Sequence, residues 1–218
     1  MSDRYKMLVF DWDGTIMDST ALIAQCIRHA ALACGLPEPT EEEAKSVIGL
    51  GVMESIGRLF PGIDQPRAQA FGTHYRAHFL ARDHETPLFE GMRELLDSLD
   101  GPARVLAVAT GKSRRGLDRA IGYSGLGGRF HFTRCADEGF PKPHPDMLER
   151  LMQFAGTERS EVLMIGDTTH DLDLARNAGV DSLAVSYGAH PFEVLTSHDA
   201  RAVVQSVAEL REWLSRNA

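Results

Sequence analysis

The sequence contains few cysteines and has no excess of positive charge. Its three cysteines, Cys26, Cys34 and Cys135, have neither the spacing of a metal site nor that of a redox motif. An odd number of cysteines at such positions predicts unpaired thiols and a reducing compartment. The formal net charge of -8 argues against a general nucleic-acid-binding surface, so we expect no nucleic-acid partner.

Long hydrophobic runs are missing as well. No apolar stretch approaches the roughly 20 residues that a membrane-spanning helix needs. The first residues, MSDRYK, lead into a predicted strand without the apolar core of a secretory signal. Hydrophobic residues make up 43% and charged residues 25% of the chain, as in ordinary globular proteins. We therefore expect a cytoplasmic protein with no membrane partner.

Short apolar runs alternate with helical patterns over most of the chain. Strands are predicted at 7–10, 105–110, 130–133, 162–165, 183–185 and 202–204. Such alternation predicts an α/β fold, a Rossmann-like doubly wound parallel sheet covered by helices on both faces. The stretch after the first strand differs, because it is helical throughout. We predict an α/β core of residues 1–17 and 87–218 with a small all-helical domain, residues 18–86, inserted into it.

Two aspartates follow the first predicted strand. In the segment FDWDGTIMDS, residues 10–19, Asp11 and Asp13 alternate along an extended backbone, and Gly14 can turn the chain after them. Thr15 adds a hydroxyl beside the carboxylates. Open α/β sheets bind ligands at the carboxyl ends of their strands, which makes this pair a candidate active site. Taken alone, it fits a polar strand-to-turn junction equally well.

Further polar residues fall at the same predicted edge of the sheet. Thr110 and Gly111 end the second strand with a hydroxyl and a bare backbone, which suit an anion held by amide hydrogens. Lys142 lies between prolines before a helix, so its ammonium can be held in one place. Asp167 follows the strand at 162–165. Asp171 opens the next helix and, alone, fits a helix cap.

Together these residues resemble the four motifs of the haloacid dehalogenase superfamily of aspartate-nucleophile phosphotransferases. The matching positions are, in order, Asp11-x-Asp13-Gly14-Thr15, Thr110, Lys142 and Gly166-Asp167-x-x-x-Asp171. The resemblance covers essentially the whole chain, because the helical insertion looks like that superfamily's small cap domain. The Lys142-Pro143-x-Pro145 form and the length look most like the phosphoglycolate-phosphatase-like branch, which includes relatives acting on pyrophosphate and nucleotides.

The resemblance implies a phosphatase that works through an aspartyl-phosphate. Asp11 would be the nucleophile that attacks phosphorus in line. Asp13 would protonate the leaving alcohol and then deprotonate the attacking water. Thr110, Gly111 and Lys142 would bind the phosphoryl oxygens and neutralise their charge.

The resemblance also implies a magnesium ion as cofactor. Mg²⁺ prefers hard oxygen ligands and retains several waters. The expected ligands are the carboxylates of Asp11 and Asp167 and the backbone carbonyl of Asp13. Asp171 and Thr15 are expected to be further metal ligands or residues that contact the ligands.

Four positions depart from the pattern or add nothing to it. Gly111 stands where many members of the branch carry asparagine, so a side-chain contact to the substrate is expected to be absent. Trp12 is bulkier than the expected aliphatic residue and is predicted to pack in the core. His74 and His78 share a helix face, and without a third ligand a solvated face is favoured over a metal site.

The sequence leaves several functions open. The first is hydrolysis of a small phosphorylated metabolite, with phosphoglycolate as the first guess and pyrophosphate, nucleotides and sugar phosphates after it. The second is a phosphomutase of the β-phosphoglucomutase type, although residues 47–51 offer no arginine for a second phosphate. A binding module without catalysis is the third, and it would require loss of one of the motif residues, all of which are present. Monomer and homodimer are both open.

Overall fold

A six-stranded parallel sheet forms the centre of the protein. The computed structural model describes residues 4–99, 101 and 104–218. Its strands are β1 (Met7–Phe10), β2 (Val105–Thr110), β3 (Phe132–Cys135), β4 (Val162–Gly166), β5 (Asp181–Val185) and β6 (Val203–Val204). They lie in the order β3-β2-β1-β4-β5-β6, and every pairing is parallel. The predicted α/β class with a parallel sheet is confirmed.

The first strand lies in the middle of this sheet, between β2 and β4. Phe10 is in register with Val108 of β2 on one side and with Ile165 of β4 on the other. All four β1 residues are fully buried, as expected for a parallel strand with both faces covered. The residues that follow β1, β2 and β4 therefore meet at one edge of the sheet.

Helices cover both faces. The α-helices in chain order are α1 (Thr20–Ala33), α2 (Glu41–Ser46), α3 (Val52–Leu59), α4 (Gln65–Leu80), α5 (Met92–Leu99), α6 (Arg114–Ser124), α7 (Asp146–Ala155), α8 (Thr169–Ala178), α9 (Phe192–Thr196) and α10 (Val207–Asn217), and those that cover the sheet come after α4. Side chains of α5, α6 and α10 pack with Leu8 and Phe10 on one face, and those of α7 and α8 pack with Met7 and Val9 on the other. The alternation of β1 side chains thus divides the core into two layers.

Helices α1 to α4 are inserted between β1 and β2 and have a buried cluster of their own. Ile23 and Ile27 of α1 pack with Ile56 of α3 and Phe71 of α4. The predicted capping box opens α2, because the Thr40 side chain accepts from the Glu43 amide and Glu43 accepts from the Thr40 amide. The division of the chain into two domains stays a prediction, and residues 1–3 of its first segment lie outside the described residues.

Some element bounds differ from the prediction. Helix α8 begins at Thr169, before the predicted Asp171, because Thr168 and Asp171 form a capping box that starts the helix earlier. Strand β3 lies two residues later than predicted, because its ladder with β2 continues to Thr110. Helix α9 was not predicted, since five residues are too few to show a helical period.

The three cysteines and Trp12 are found in the states that the sequence predicts. Cys26, Cys34 and Cys135 are all free thiols, as predicted. Trp12 is fully buried in the core and meets Phe130 edge to face at 6.0 Å, which confirms its packing role. In the described part of the chain, no helix combines the length and the apolar character needed to cross a membrane.

Candidate active site

The two aspartates after β1 lie at the predicted edge of the sheet. The Asp11 amide continues the ladder by donating to Ile165 O at 2.9 Å. Asp11 is 1% exposed and Asp13 8% exposed. Gly14 then turns the chain with a φ of +85°, a conformation that strongly favours glycine. The chain therefore presents two carboxylates, two residues apart, from a buried segment of backbone.

Asp167 reaches the same edge from the end of β4. Its Oδ1 accepts from Thr15 Oγ1 at 2.8 Å, and its Oδ2 accepts from the Ala189 amide at 2.7 Å. A Cβ on Gly14 would lie 2.1 Å from Asp167 Oδ2, and a Cβ on Gly188 would lie 2.3 Å from it. The carboxylate is thus enclosed by two glycines, and no side chain fits at either position.

Lys142 lies beneath this edge and is buried completely. Its Nζ is 2.8 Å from Asp11 Oδ1 and 2.6 Å from Asp171 Oδ1. The other oxygen of Asp171 accepts from the Thr168 amide at 3.0 Å and from Thr168 Oγ1 at 2.7 Å. Both Asp171 oxygens are therefore occupied, and the contacts of this side chain orient Lys142 and begin α8.

Burial dominates the electrostatics of these groups. It raises the pKa of Asp11 to about 7, with the Lys142 ammonium opposing the shift and the Asp171 carboxylate adding to it. Burial also raises the pKa of Asp167 well above its usual value, and the charges of Asp11 and Asp171 act in the same direction. For Lys142, burial lowers the pKa, but the two carboxylates outweigh it and the net shift is upward. Three carboxylates and one ammonium leave this buried cluster short of positive charge.

The cluster has the chemistry of a divalent cation site. Oxygens of Asp11, Asp167 and Asp171 lie within 4.8 Å of one another, and all three residues are buried. Neither Asp11 oxygen accepts a hydrogen bond of good geometry, and Oδ1 has only its ion pair with Lys142. Hard carboxylate oxygens of this kind suit Mg²⁺. Among the described residues, no other set of three or more aspartate, glutamate, histidine or cysteine side chains lies close enough together to hold a metal ion.

The Asp13 side chain takes no part in this cluster. Its Oδ1 accepts from Ser19 Oγ at 2.7 Å, and the Lys112 ammonium lies 2.9 Å from both of its oxygens. Sequence reasoning missed both partners. Ser19 precedes α1 and resembles a helix cap, yet its side chain makes no capping bond. Lys112 follows Thr110 by two residues, which was the available signal for it.

Thr110 ends β2, and Gly111 follows it. The Lys112 amide donates to Thr110 Oγ1 at 3.2 Å. A Cβ on Gly111 would lie 2.4 Å from Gly49 O and 2.7 Å from Leu50 O, in the loop between α2 and α3. The close approach of this loop explains the glycine, because the backbone carbonyls occupy the space that any side chain would need.

A cavity of about 600 Å³ opens above Asp11 and Asp13. The insertion contributes mainly apolar walls, including Ile27, Tyr75 and Phe79. The core contributes Thr110, Gly111, Lys112, Ser113 and Arg115. The structure thus brings Asp11, Lys142 and Asp171 into direct contact, and the Asp167 carboxylate, bonded to Thr15, lies within 4.8 Å of the other two carboxylates. Asp13, Thr110 and Gly111 line the cavity next to them.

The histidine pair of α4 lies apart from this site. His78 stacks on His29 of α1 with the ring centroids 4.2 Å apart. His74 is exposed. Neither belongs to the described metal-type cluster, so the pair carries no functional interpretation.

Known proteins are similar to this chain in sequence and in fold. Residues 8–185 match the family described as haloacid dehalogenase-like hydrolase. A phosphoglycolate phosphatase of Vibrio vulnificus is 30% identical over 94% of this chain and 94% of its own. A 5'-nucleotidase of Pseudomonas aeruginosa is 29% identical over 97% of this chain and 96% of its own. A hydrolase from Pseudomonas syringae has the same fold, with a TM-score of 0.90, 21% identity, and coverage of 98% of this chain and 99% of that one.

Proposed function

This chain belongs to the haloacid dehalogenase-like hydrolases and is a hydrolase of phosphoric ester bonds, and we propose that it is a magnesium-dependent phosphatase acting through a phosphoryl group on Asp11. The observation that carries the proposal is the environment of Asp11. Its carboxylate is buried, lacks a well-aligned hydrogen bond, and lies beside the Lys142 ammonium and the Asp167 carboxylate. A carboxylate in that state is available to a metal ion and to phosphorus.

Asp11 and Asp167 would hold Mg²⁺, together with the Asp13 carbonyl. When bound, the ion neutralises charge on the phosphoryl group and so allows an anionic nucleophile to approach it. Asp171 is the weaker candidate for a ligand, because both of its oxygens are already engaged by Lys142 and Thr168.

The remaining steps belong to the protein's own groups. One Asp11 oxygen attacks phosphorus in line as the bond to the leaving oxygen breaks, and Asp13 gives that oxygen a proton. Asp13 then takes a proton from water, which attacks phosphorus and releases phosphate while the bond to Asp11 breaks. Lys142 and the Thr110 hydroxyl stabilise the phosphoryl oxygens, and so does the Gly111 amide.

The leaving-group side of the site is the cavity shared by the insertion and the core. We propose that the inserted helices form a cap whose residues select the substrate. Phosphoglycolate is the first candidate, on the names of relatives. A nucleoside monophosphate is the second candidate, because a cavity of about 600 Å³ with mostly apolar walls is larger than a two-carbon acid needs.

A panel assay tests this proposal. Phosphate release is measured from phosphoglycolate, pyrophosphate, nucleoside monophosphates and sugar phosphates, with Mg²⁺ and with chelator. We expect release from one class far above the rest, only with Mg²⁺, and none from Asp11→Asn. Release that persists in chelator, or full turnover by Asp11→Asn, would contradict the mechanism. Conversion of a sugar 1-phosphate to its 6-phosphate without phosphate release would make the protein a mutase.

A further inference from the structure

The Asp13 carboxylate is held by a lysine that the reaction described above does not use. Lys112 Nζ lies 2.9 Å from Oδ1 and 2.9 Å from Oδ2 of Asp13. The two side chains are only 10% and 11% exposed. An ion pair with both carboxylate oxygens at this degree of burial fixes the orientation of the carboxylate, unlike a mobile surface pair.

The lysine also contacts the inserted helices. Its ammonium lies 4.5 Å from the ring centroid of Phe79 in α4. Phe79 in turn stacks on Tyr75, with the ring centroids 5.9 Å apart and the planes 13° from parallel. A cation over an aromatic face is attracted to it, more strongly where water is excluded. Lys112 is therefore held between the core, through Asp13, and the insertion, through Phe79.

The backbone around Lys112 is fixed on both sides. Its amide donates to Thr110 Oγ1 at 3.2 Å, and its carbonyl accepts from the Ala136 amide at 3.0 Å. The preceding residue, Gly111, lies directly against the Gly49 carbonyl of the inserted segment. This contact sets the distance between insertion and core where the Lys112 side chain crosses between them.

We propose that Lys112 is a positioning residue for Asp13, held in place by Phe79 while the insertion lies against the core. The inference rests on the proposed function. When Asp13 transfers its proton to the leaving oxygen, a negative charge develops on its carboxylate, and the Lys112 ammonium stabilises that charge. Lys112 neither gains nor loses a proton in this step. The same contact keeps the carboxylate pointed toward the leaving oxygen.

Substrates that differ in their need for a proton test the proposal. An alkyl phosphate needs a proton on its leaving oxygen, whereas p-nitrophenyl phosphate releases a stable phenolate without one. For Lys112→Met we expect kcat/KM for the alkyl phosphate to fall about tenfold to a hundredfold. The fall is only part of what general acid catalysis contributes, because Asp13 itself is still present. For p-nitrophenyl phosphate we expect kcat/KM to fall less than about threefold, because its leaving oxygen departs without taking a proton from Asp13.

Matched variants separate this role from simpler ones. Lys112→Arg should recover part of the loss, and Phe79→Leu should give a smaller loss with the same dependence on leaving group. Arg115→Met removes another cavity-lining cation and should affect both substrates equally. An equal loss for both substrates with Lys112→Met, or a change confined to KM, would overturn the proposal and make Lys112 a structural or substrate-binding residue.

Asp13→Asn separates failure of this proposal from failure of the proposed function. The comparison uses kcat/KM, which covers the steps up to phosphoryl transfer to Asp11 and so excludes the later activation of water by Asp13. If Asp13→Asn lowers kcat/KM only for the alkyl phosphate while Lys112→Met shows no such preference, the general acid assignment stands and the Lys112 proposal is wrong. If kcat/KM of Asp13→Asn shows no dependence on leaving group, the general acid assignment of Asp13 is wrong, and the proposal for Lys112 is overturned with it.

Discussion

The Lys142 ammonium lies 2.8 Å from Asp11 Oδ1, and at most 1% of either side chain is exposed. A lysine buried so deeply is costly unless carboxylates compensate it, and Asp171 supplies the second one at 2.6 Å. Because Asp171 is itself oriented by Thr168 at the start of α8, the position of the ammonium is set by the helix rather than by solvent.

Removing this ammonium should cost both stability and activity. For Lys142→Met we expect the free energy of unfolding at pH 8 to fall by about 3–5 kcal/mol, because the carboxylates of Asp11 and Asp171 lose their buried partner. Urea unfolding measures the change. The control is Lys6→Met, which removes an exposed ion pair with Glu161 and should lower the free energy of unfolding far less. Equal losses in both variants would contradict the buried-pair interpretation.

Any side chain at position 111 should displace the inserted loop. In Gly111→Ala the new Cβ would meet the carbonyls of Gly49 and Leu50, so we expect a loss of about 1–3 kcal/mol in the free energy of unfolding and a higher KM. Thermal unfolding and steady-state kinetics check this. Gly122→Ala, in α6 and with open space around its Cβ, should leave KM unchanged and not lower stability. If the two variants behave alike, the close contact does not constrain the loop.

Asp167 and Asp171 should differ in their effect on metal affinity. Asp167→Asn removes an expected ligand, so we expect Mg²⁺ binding to fall beyond detection in titration calorimetry. Asp171→Asn disturbs the orientation of Lys142 and should lower Mg²⁺ affinity by only about tenfold, while activity falls much further. Loss of Mg²⁺ binding in both variants to the same extent would make Asp171 a direct ligand.

His170 should make the protein less stable in mild acid. Burial lowers the pKa of His170 to about 4 from 6.5, while the Ser46 carbonyl, which accepts from its Nε2 at 3.0 Å, acts in the opposite direction. Between pH 6.5 and pH 4 the unfolded chain binds a proton that the folded protein does not. The neutral His170 side chain therefore makes its full contribution to the free energy of unfolding above pH 6.5, and this contribution is lost as the pH falls toward 4.

The magnitude of that effect follows from the size of the shift. One pKa unit corresponds to about 1.4 kcal/mol, so His170 should account for a few kcal/mol between pH 6.5 and pH 4. Urea unfolding of wild type and His170→Gln across this range measures it, and the variant should show a flatter profile. Identical profiles would show that the imidazole does not control acid stability.

Much of the fold could be predicted because its signals are local. The apolar run of β1, the capping box at Thr40 and the carboxylates at strand ends are each contained within a few residues. Their meeting at one edge follows from the rule that parallel strands align their carboxyl ends. The residues proposed for catalysis are of this kind, since each follows a strand or precedes a helix.

Contacts between distant segments could not be predicted in this way. The bond from the Ala189 amide to Asp167 depends on a loop after β5 that carries no motif. Ser19 resembled a helix cap, whereas its hydroxyl donates to Asp13. The pairing of Lys112 with Phe79 depends on how the insertion lies against the core, which periodicity does not encode.

The phosphoryl group on Asp11 is the central claim, and trapping it is the most direct test. The protein is mixed with the best substrate of the panel and Mg²⁺, quenched in acid within one turnover, digested at low pH and examined by mass spectrometry. We expect one added phosphoryl group on the peptide that contains Asp11, and none in Asp11→Asn. Full turnover without any phosphoryl group on that peptide would contradict the mechanism.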